Sequence, residues 1–166
     1  LGTATNDQDK EKLISNSEDI ILLSSRIELL SAKTSRDVIV SFMKSGMEFL
    51  AASGVSFVSF EEWGSPLWPI SLGDIPLGIT ETWQNILANP ETRQACRKCT
   101  TRETEADCVL NQNTRQAPAK ILCVPLHNER KELGVANFFF KTPTVIDEKK
   151  RAVIASLASD SETALL

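Results

Sequence analysis

Two apolar runs near the C-terminus constrain this fold more than any other feature. Ala119 to His127 and Leu133 to Lys141 are each dense in apolar residues, and the polar stretch His127-Asn128-Glu129-Arg130-Lys131-Glu132 joins them as a hairpin loop. Successive residues of a strand point to opposite faces. Ile121, Cys123 and Pro125 therefore share one face of the first run, and Leu122, Val124 and Leu126 the other. On the second run Leu133, Val135, Asn137 and Phe139 share a face, with Gly134, Ala136, Phe138 and Phe140 opposite. Both faces are apolar, so the hairpin belongs in the middle of a sheet covered on both sides.

The remaining segments supply the other strands and the covers. Residues 1 to about 12 are polar and predict a frayed end. From Leu13 to Lys33 apolar residues recur at heptad spacing: Leu13, Ile20 and Ile27, with Leu23 and Leu30 between them. That pattern predicts an amphipathic helix with a seam suited to coiled-coil pairing, or one packed on its own sheet. Ile21, Leu22 and Leu29 widen the stripe enough for a second surface. Thr34-Ser35-Arg36-Asp37 has the form of a capping box, so a second helix runs from about Arg36 to Ser53, with Gly54 placed to stop it. Val55 to Trp63 alternates like a strand. Leu67 to Ser71 predicts a short strand, with Pro69 marking an edge. Thr80 and Glu81 open a helix carrying Trp83, Ile86 and Leu87, which Pro90 breaks before a further helical turn or two. A closing helix runs from about Asp147 to Ala164. The order predicts an α+β fold, an α/β sandwich with a central antiparallel sheet and the terminal helices on one face.

Charge narrows the partners. Lys and Arg number 18 against 22 Asp and Glu, a net charge of −4. Nucleic-acid binding needs clustered cations, and this balance argues against it. No apolar run approaches the ~20 residues that span a bilayer, so no direct membrane insertion is expected. No secretory signal is visible at the N-terminus. The first residue is Leu1 rather than Met, and the expectation is a piece of a longer protein.

The stretch Ile121-Leu-Cys-Val-Pro-Leu126, a polar turn, Leu133-Gly-Val-Ala-Asn-Phe-Phe-Phe140, then Pro143-Thr144 and a closing helix, resembles the C-terminal half of a GAF domain. The resemblance covers residues 34–166 and leaves 1–33 as an N-terminal signalling or dimerisation helix. It is most similar to GAF domains of nitrate/nitrite-sensor-type bacterial sensor histidine kinases. Those carry a Cys-x-x-Cys and a further Cys before the Val-Pro-Leu strand. Here the matching residues are Cys96, Cys99 and Cys108, in a cysteine-rich insert spanning 90–118. Trp68-Pro69 is also in keeping. The resemblance implies a cytoplasmic module of a two-component protein whose membrane anchor, if any, and output kinase module lie elsewhere in the parent chain. It also implies a ligand cavity on one face of the sheet, with the insert across its mouth.

All four cysteines, Cys96, Cys99, Cys108 and Cys123, fall in one region, as C-x2-C-x8-C-x14-C. The close pair has metal-knuckle spacing, but no second such pair follows, so this is not a zinc ribbon. Cys123 sits on the strand that would wall the cavity. Four thiolates converging there would suit zinc or an iron–sulfur cluster. A disulfide switch between Cys96 and Cys99 is a second reading. Four reduced thiols, with Cys123 packed as a small apolar residue, is a third. Arg93, Arg97, Lys98 and Arg102 crowd the pair and favour thiolates.

Other candidates are fewer. Trp63, Trp68, Trp83, Ile121 and Asn137 are candidate pocket residues, although tryptophans commonly serve a core. Asn137 on an apolar strand requires a buried partner. His127, the only histidine, begins a polar turn and is expected in solvent. No P-loop, nucleophile elbow, metalloprotease or kinase nucleotide-binding motif is present. A non-catalytic sensory module, paired as a homodimer through its terminal helices and responding to a small ligand, oxygen or redox state, is the function these features fit. The alternatives are a GAF-fold thiol enzyme such as a free methionine sulfoxide reductase, and a purely structural dimerisation domain.

Overall fold

The computed structural model describes residues 7–60, 69–97, 102–103, 120–127 and 132–165. In chain order the elements are α1 (Asp7–Ser31), α2 (Ser35–Leu50), β1 (Gly54–Ser59), β2 (Pro69–Gly73) and α3 (Ile79–Leu87). There follow α4 (Pro90–Arg97), β3 (Arg102–Glu103), β4 (Lys120–His127), β5 (Glu132–Phe140) and α5 (Glu148–Ala164). The strands form one antiparallel sheet of five in the order β2-β1-β5-β4-β3. The doubly apolar strand β5 is central, and β2, which opens on Pro69, is an edge, as the sequence predicts.

Two cores flank the sheet. On one face α2 and α5 bury Phe42, Met43, Ile154 and Leu157 against Phe57, Leu122, Val124 and Phe138. The other face carries Val58, Phe60, Ile121, Cys123, Val135 and Phe139, covered by Trp83, Ile79 and Leu87 from α3. The fold is therefore α+β, with helices on both sides of the sheet. α1 adds an outer layer: it packs on α2 and α5 rather than on the sheet.

Local departures have local causes. α1 begins at Asp7, earlier than the apolar repeat indicates, and Asp7 and Asp9 in its first turn favour the positive end of the helix. The capping box at α2 forms as read: Asp37 N–H donates to Thr34 Oγ1 at 3.1 Å and Thr34 N–H to Asp37 Oδ2 at 2.9 Å. That helix stops before Gly54, however. Ala51 takes a left-handed conformation (φ 53°) and its N–H closes the last turn on Glu48 and Met47. Gly54 opens β1 instead, where a Cβ would stand 2.4 Å from the Asp74 carbonyl oxygen.

Leu133 also departs from strict alternation. His127 pairs with Glu132 and Leu126 with Gly134, so Leu133 is the extra residue of a bulge. It turns into the α2/α5 core rather than sharing the face of Val135.

Candidate functional site

Cross-strand register sets a row of polar residues across the sheet, one from each strand. Ser71 of β2 pairs with Ser56 of β1, Ser56 with Asn137 of β5, Asn137 with Cys123 of β4, and Cys123 with Arg102 of β3. Ser56, Asn137 and Cys123 lie on the α3 side. The neighbouring rows on that side are Val58–Val135–Pro125 and Gly54–Phe139–Ile121. One polar line thus crosses an otherwise apolar face.

The line is buried and only half satisfied. Ser56 and Asn137 are 0% exposed and Cys123 is 7% exposed. The Cys123 thiol donates to Asn137 Oδ1 at 2.9 Å, which gives the buried amide the partner its oxygen requires. Among the described residues Asn137 Nδ2 and Ser56 Oγ have none. Each such orphan costs roughly 1–3 kcal/mol. The α3 face therefore holds two N–H groups and one hydroxyl, all buried, that bond to none of the described residues.

The other predicted residues are placed as follows. Ile121 is buried one pleat from Cys123 on β4. Trp83 is fully buried and stacks on Phe139, with centroids 5.5 Å apart and planes at 22°, so it belongs to the packed core between α3 and the sheet. Trp63, Trp68, Cys99 and Cys108 lie outside the described residues, and so does the side chain of Cys96, whose backbone is in α4. Among the described residues no three metal-ligating side chains come together. Register does carry the chain back to the row soon after Cys99, since Arg102 is the cross-strand neighbour of Cys123.

His127 is half-buried, and its backbone N–H donates to Glu162 of α5 at 2.7 Å. Ser56 is the site residue that sequence reading passes over. Val-Ser-Phe-Val-Ser-Phe reads as ordinary alternation, and only the register sets its hydroxyl beside Asn137.

A second candidate surface runs along α1, which carries two stripes on opposite faces. Leu22, Ser25 and Leu29 turn inward, and Leu22 packs against the α2/α5 core. Three polar contacts fix this side: Arg26 to Asp160 at 2.9 Å, Glu28 to Ser41 at 2.8 Å and Glu18 to Lys149 at 3.2 Å. Ile20, Leu23, Ile27 and Leu30 face outward and are 63, 60, 59 and 89% exposed. These four belong to the heptad seam and stand clear of the described residues of their own chain; the side chain of Leu13, the seam's first residue, lies outside the described residues. An open groove of about 440 Å³, lined by Arg26, Leu29, Leu30, Asp160, Thr163 and Ala164, continues the seam onto α5. Among the described residues no helix is long and apolar enough to cross a membrane.

No family model matches the sequence, and no curated protein does. Solved structures do match. The GAF domain of an Acinetobacter phosphoenolpyruvate-protein phosphotransferase superposes with a TM-score of 0.67 at 15% identity, covering 90% of this chain and 93% of that one. A GAF domain from Pseudomonas syringae pv. tomato, from a protein described as a sensor histidine kinase, gives 0.62 at 12% identity, covering 96% and 92%. Free methionine-R-sulfoxide reductase from Neisseria meningitidis, in complex with its substrate, gives 0.54 at 16% identity, covering 99% and 93%. At these identities the likeness is one of fold. The chain has the GAF-type fold that its C-terminal hairpin resembles in sequence.

Proposed function

We propose that this chain is the non-catalytic sensory module of a larger signalling protein, a bacterial two-component protein of the sensor histidine kinase kind. It works as a homodimer joined along α1. The carrying observation is the outer stripe of that helix. Four large apolar side chains at heptad spacing, exposed together, suit a matching helix. The inner stripe ties the same helix to α2 and α5, which pack on the sheet. A change on the α3 face then has a continuous packed route to the seam. Such a relay requires a conformational equilibrium that both the pocket and the seam bias.

The test is the mass of the 166-residue chain in solution, by light scattering, beside a Leu23→Glu/Ile27→Glu variant. A dimer that the two glutamates convert to a folded monomer is expected. A wild-type monomer across the micromolar range overturns the reading. Turnover of free methionine sulfoxide with a thiol reductant would overturn it too, in favour of the enzyme.

Register favours a second reading for the input. Because Arg102 adjoins Cys123, the segment carrying Cys96 and Cys99 re-enters the sheet next to the fourth cysteine. A four-cysteine centre holding zinc or an iron–sulfur cluster would use Cys96, Cys99, Cys108 and Cys123 as thiolates, and the Asn137 amide, whose oxygen now accepts from the Cys123 thiol, would turn over to present its N–H to that sulfur. The bound group would supply redox or structural chemistry. Elemental analysis and a visible spectrum of anaerobically purified protein decide it. One centre per chain, lost on Cys123→Ser, supports this reading, and metal-free protein removes it.

A further inference from the structure

α1 is held to its own domain by few contacts, and those few are weak. Among its described side chains Ser25 alone is buried, and its hydroxyl bonds to none of the described residues. The inner apolar residues Ile21, Leu22 and Leu29 are half-buried. Open clefts run along both flanks of the helix. One, of about 280 Å³, lies against α2 and is lined by Glu28, Asp37, Ser41 and Lys44 among others. The groove against α5 is the other. The ties that remain are the polar contacts Arg26–Asp160, Glu28–Ser41 and Glu18–Lys149, partly open to water, where such contacts hold weakly.

The junction after α1 permits release. Ala32 N–H closes the last turn of α1 on the Leu29 carbonyl. Lys33 and Thr34 N–H open α2 on Asp37 Oδ2, at 3.2 and 2.9 Å. Each helix end is thus satisfied from its own side, and α2 keeps its cap whatever α1 does. The α2/α5 core is built by the sheet and those two helices, and the described part of α1 adds only half-buried Leu22 at its flank. Segments with few buried apolar contacts are the ones that open first. We infer that α1 is a releasable strap: it leaves the α2/α5 surface as one unit, hinged at residues 32–34, while the sheet and the other helices stay folded. As a regulatory device it rests on the sensory reading above, to which it supplies two states. Docked, the body fixes where the outer stripe points. Released, the seam is uncoupled from the sheet. The surface uncovered is rich in hydroxyls and charges, Ser41, Lys44, Lys149, Asp160 and Thr163, which water solvates readily.

Amide hydrogen exchange, followed by NMR on the whole chain, tests this. The chain carries Leu23→Gln/Ile27→Gln, which takes pairing out of the measurement without setting two like charges on α1. A helix parted from its packing face is marginal in water, so the amides of α1 exchange on release. Those from Glu18 to Ser31 should share one protection factor, ~100-fold or more below that of α2 and α5. Protection within about threefold of α2 overturns the strap, as does a gradient with no shared value, which is fraying. Ile154→Val loosens the core under α2 and α5 and should lower their protection about fivefold. α1 should keep its value, because it opens with that core intact. A fall shared by α1 makes the chain one cooperative unit and overturns the inference. Ser25→Ala removes the unpartnered hydroxyl and should raise the protection of α1 about fivefold. A decrease means that the hydroxyl is bonded in place, and the inference fails. None of these readouts uses the seam. A wild-type monomer with a releasable α1 keeps the strap and removes the paired relay, and a dimer whose α1 opens only with the core removes the strap.

Discussion

The backbone N–H of His127, at the end of β4, donates to the Glu162 carboxylate two residues before the end of α5, at 2.7 Å. This bond ties the central hairpin to the closing helix. Partial burial pushes the Glu162 carboxyl above its ordinary range, outweighing the downward pull of the His127 N–H. A raised value means that the folded chain holds the proton longer than the unfolded one. The group's contribution to stability is therefore fullest in acid and declines as pH rises from 4.5, its ordinary value, through the raised one. Glu162→Gln keeps an acceptor for His127 and removes the charge. It should stabilise the chain at pH 7 by less than ~1 kcal/mol, since the site is half open to water, and have no effect below about pH 4. Denaturant melts at the two pH values check this, and a variant less stable at pH 7 would contradict it.

Gly46 of α2 lets the helix approach the sheet. A methyl there would sit 2.6 Å from Cζ of Phe138, whose ring already meets Phe42 edge-on at 6.0 Å and 78°. Alanine is favoured over glycine in a helix by about 1 kcal/mol. Here overpacking should win, and Gly46→Ala should destabilise by about 1–3 kcal/mol in equilibrium unfolding. A stabilised variant would mean that Phe138 can retreat at little cost.

Trp83 is the main tie between α3 and the sheet. Trp83→Ala removes its stack on Phe139 and should cost about 3–5 kcal/mol. Trp83→Phe preserves an aromatic face and should cost clearly less. Equal losses in the two variants would assign the effect to the helix backbone rather than to the ring.

The seam predicts a concentration-dependent melting point. If folding and pairing are linked, the wild-type transition rises with protein concentration, while that of Leu23→Glu/Ile27→Glu does not. Scans spanning a hundredfold in concentration would show it, and a wild-type midpoint that stays fixed would argue against pairing.

These predictions draw on features that were unequally legible in the sequence. The hairpin was plain because apolar residues on both faces of two adjoining runs leave few places to put them. The α1 seam was legible as a pattern, but which stripe would face its own domain was not. That depends on α2 and α5, whose contacts with Leu22 and Arg26 are long-range. Leu133 escaped because a bulge adds one residue and flips the side chain that follows from counting. Asn137 drew notice as a lone amide among hydrophobes, whereas Ser56 did not, because small hydroxyls alternate on strands everywhere. Its meaning came only from the cross-strand register. Of the four cysteines, Cys123 has a described environment, its thiol donating to Asn137 Oδ1 on the neighbouring strand.

The two stripes of α1 share one rigid backbone, and that makes rotational phase the quantity any partner on the outside would read. A helix advances about 100° per residue, so its inner contacts set the azimuth at which Ile20, Leu23, Ile27 and Leu30 are presented. Only Ala32, Lys33 and Thr34 separate α1 from α2. One residue inserted within α1 itself would turn the seam beyond it by about 100° against the inner contacts before it, whereas the non-helical junction can take up a change in length. Evolution, or an engineer grafting this module onto a new output, is then constrained in the register of α1 more tightly than in the composition of its junction.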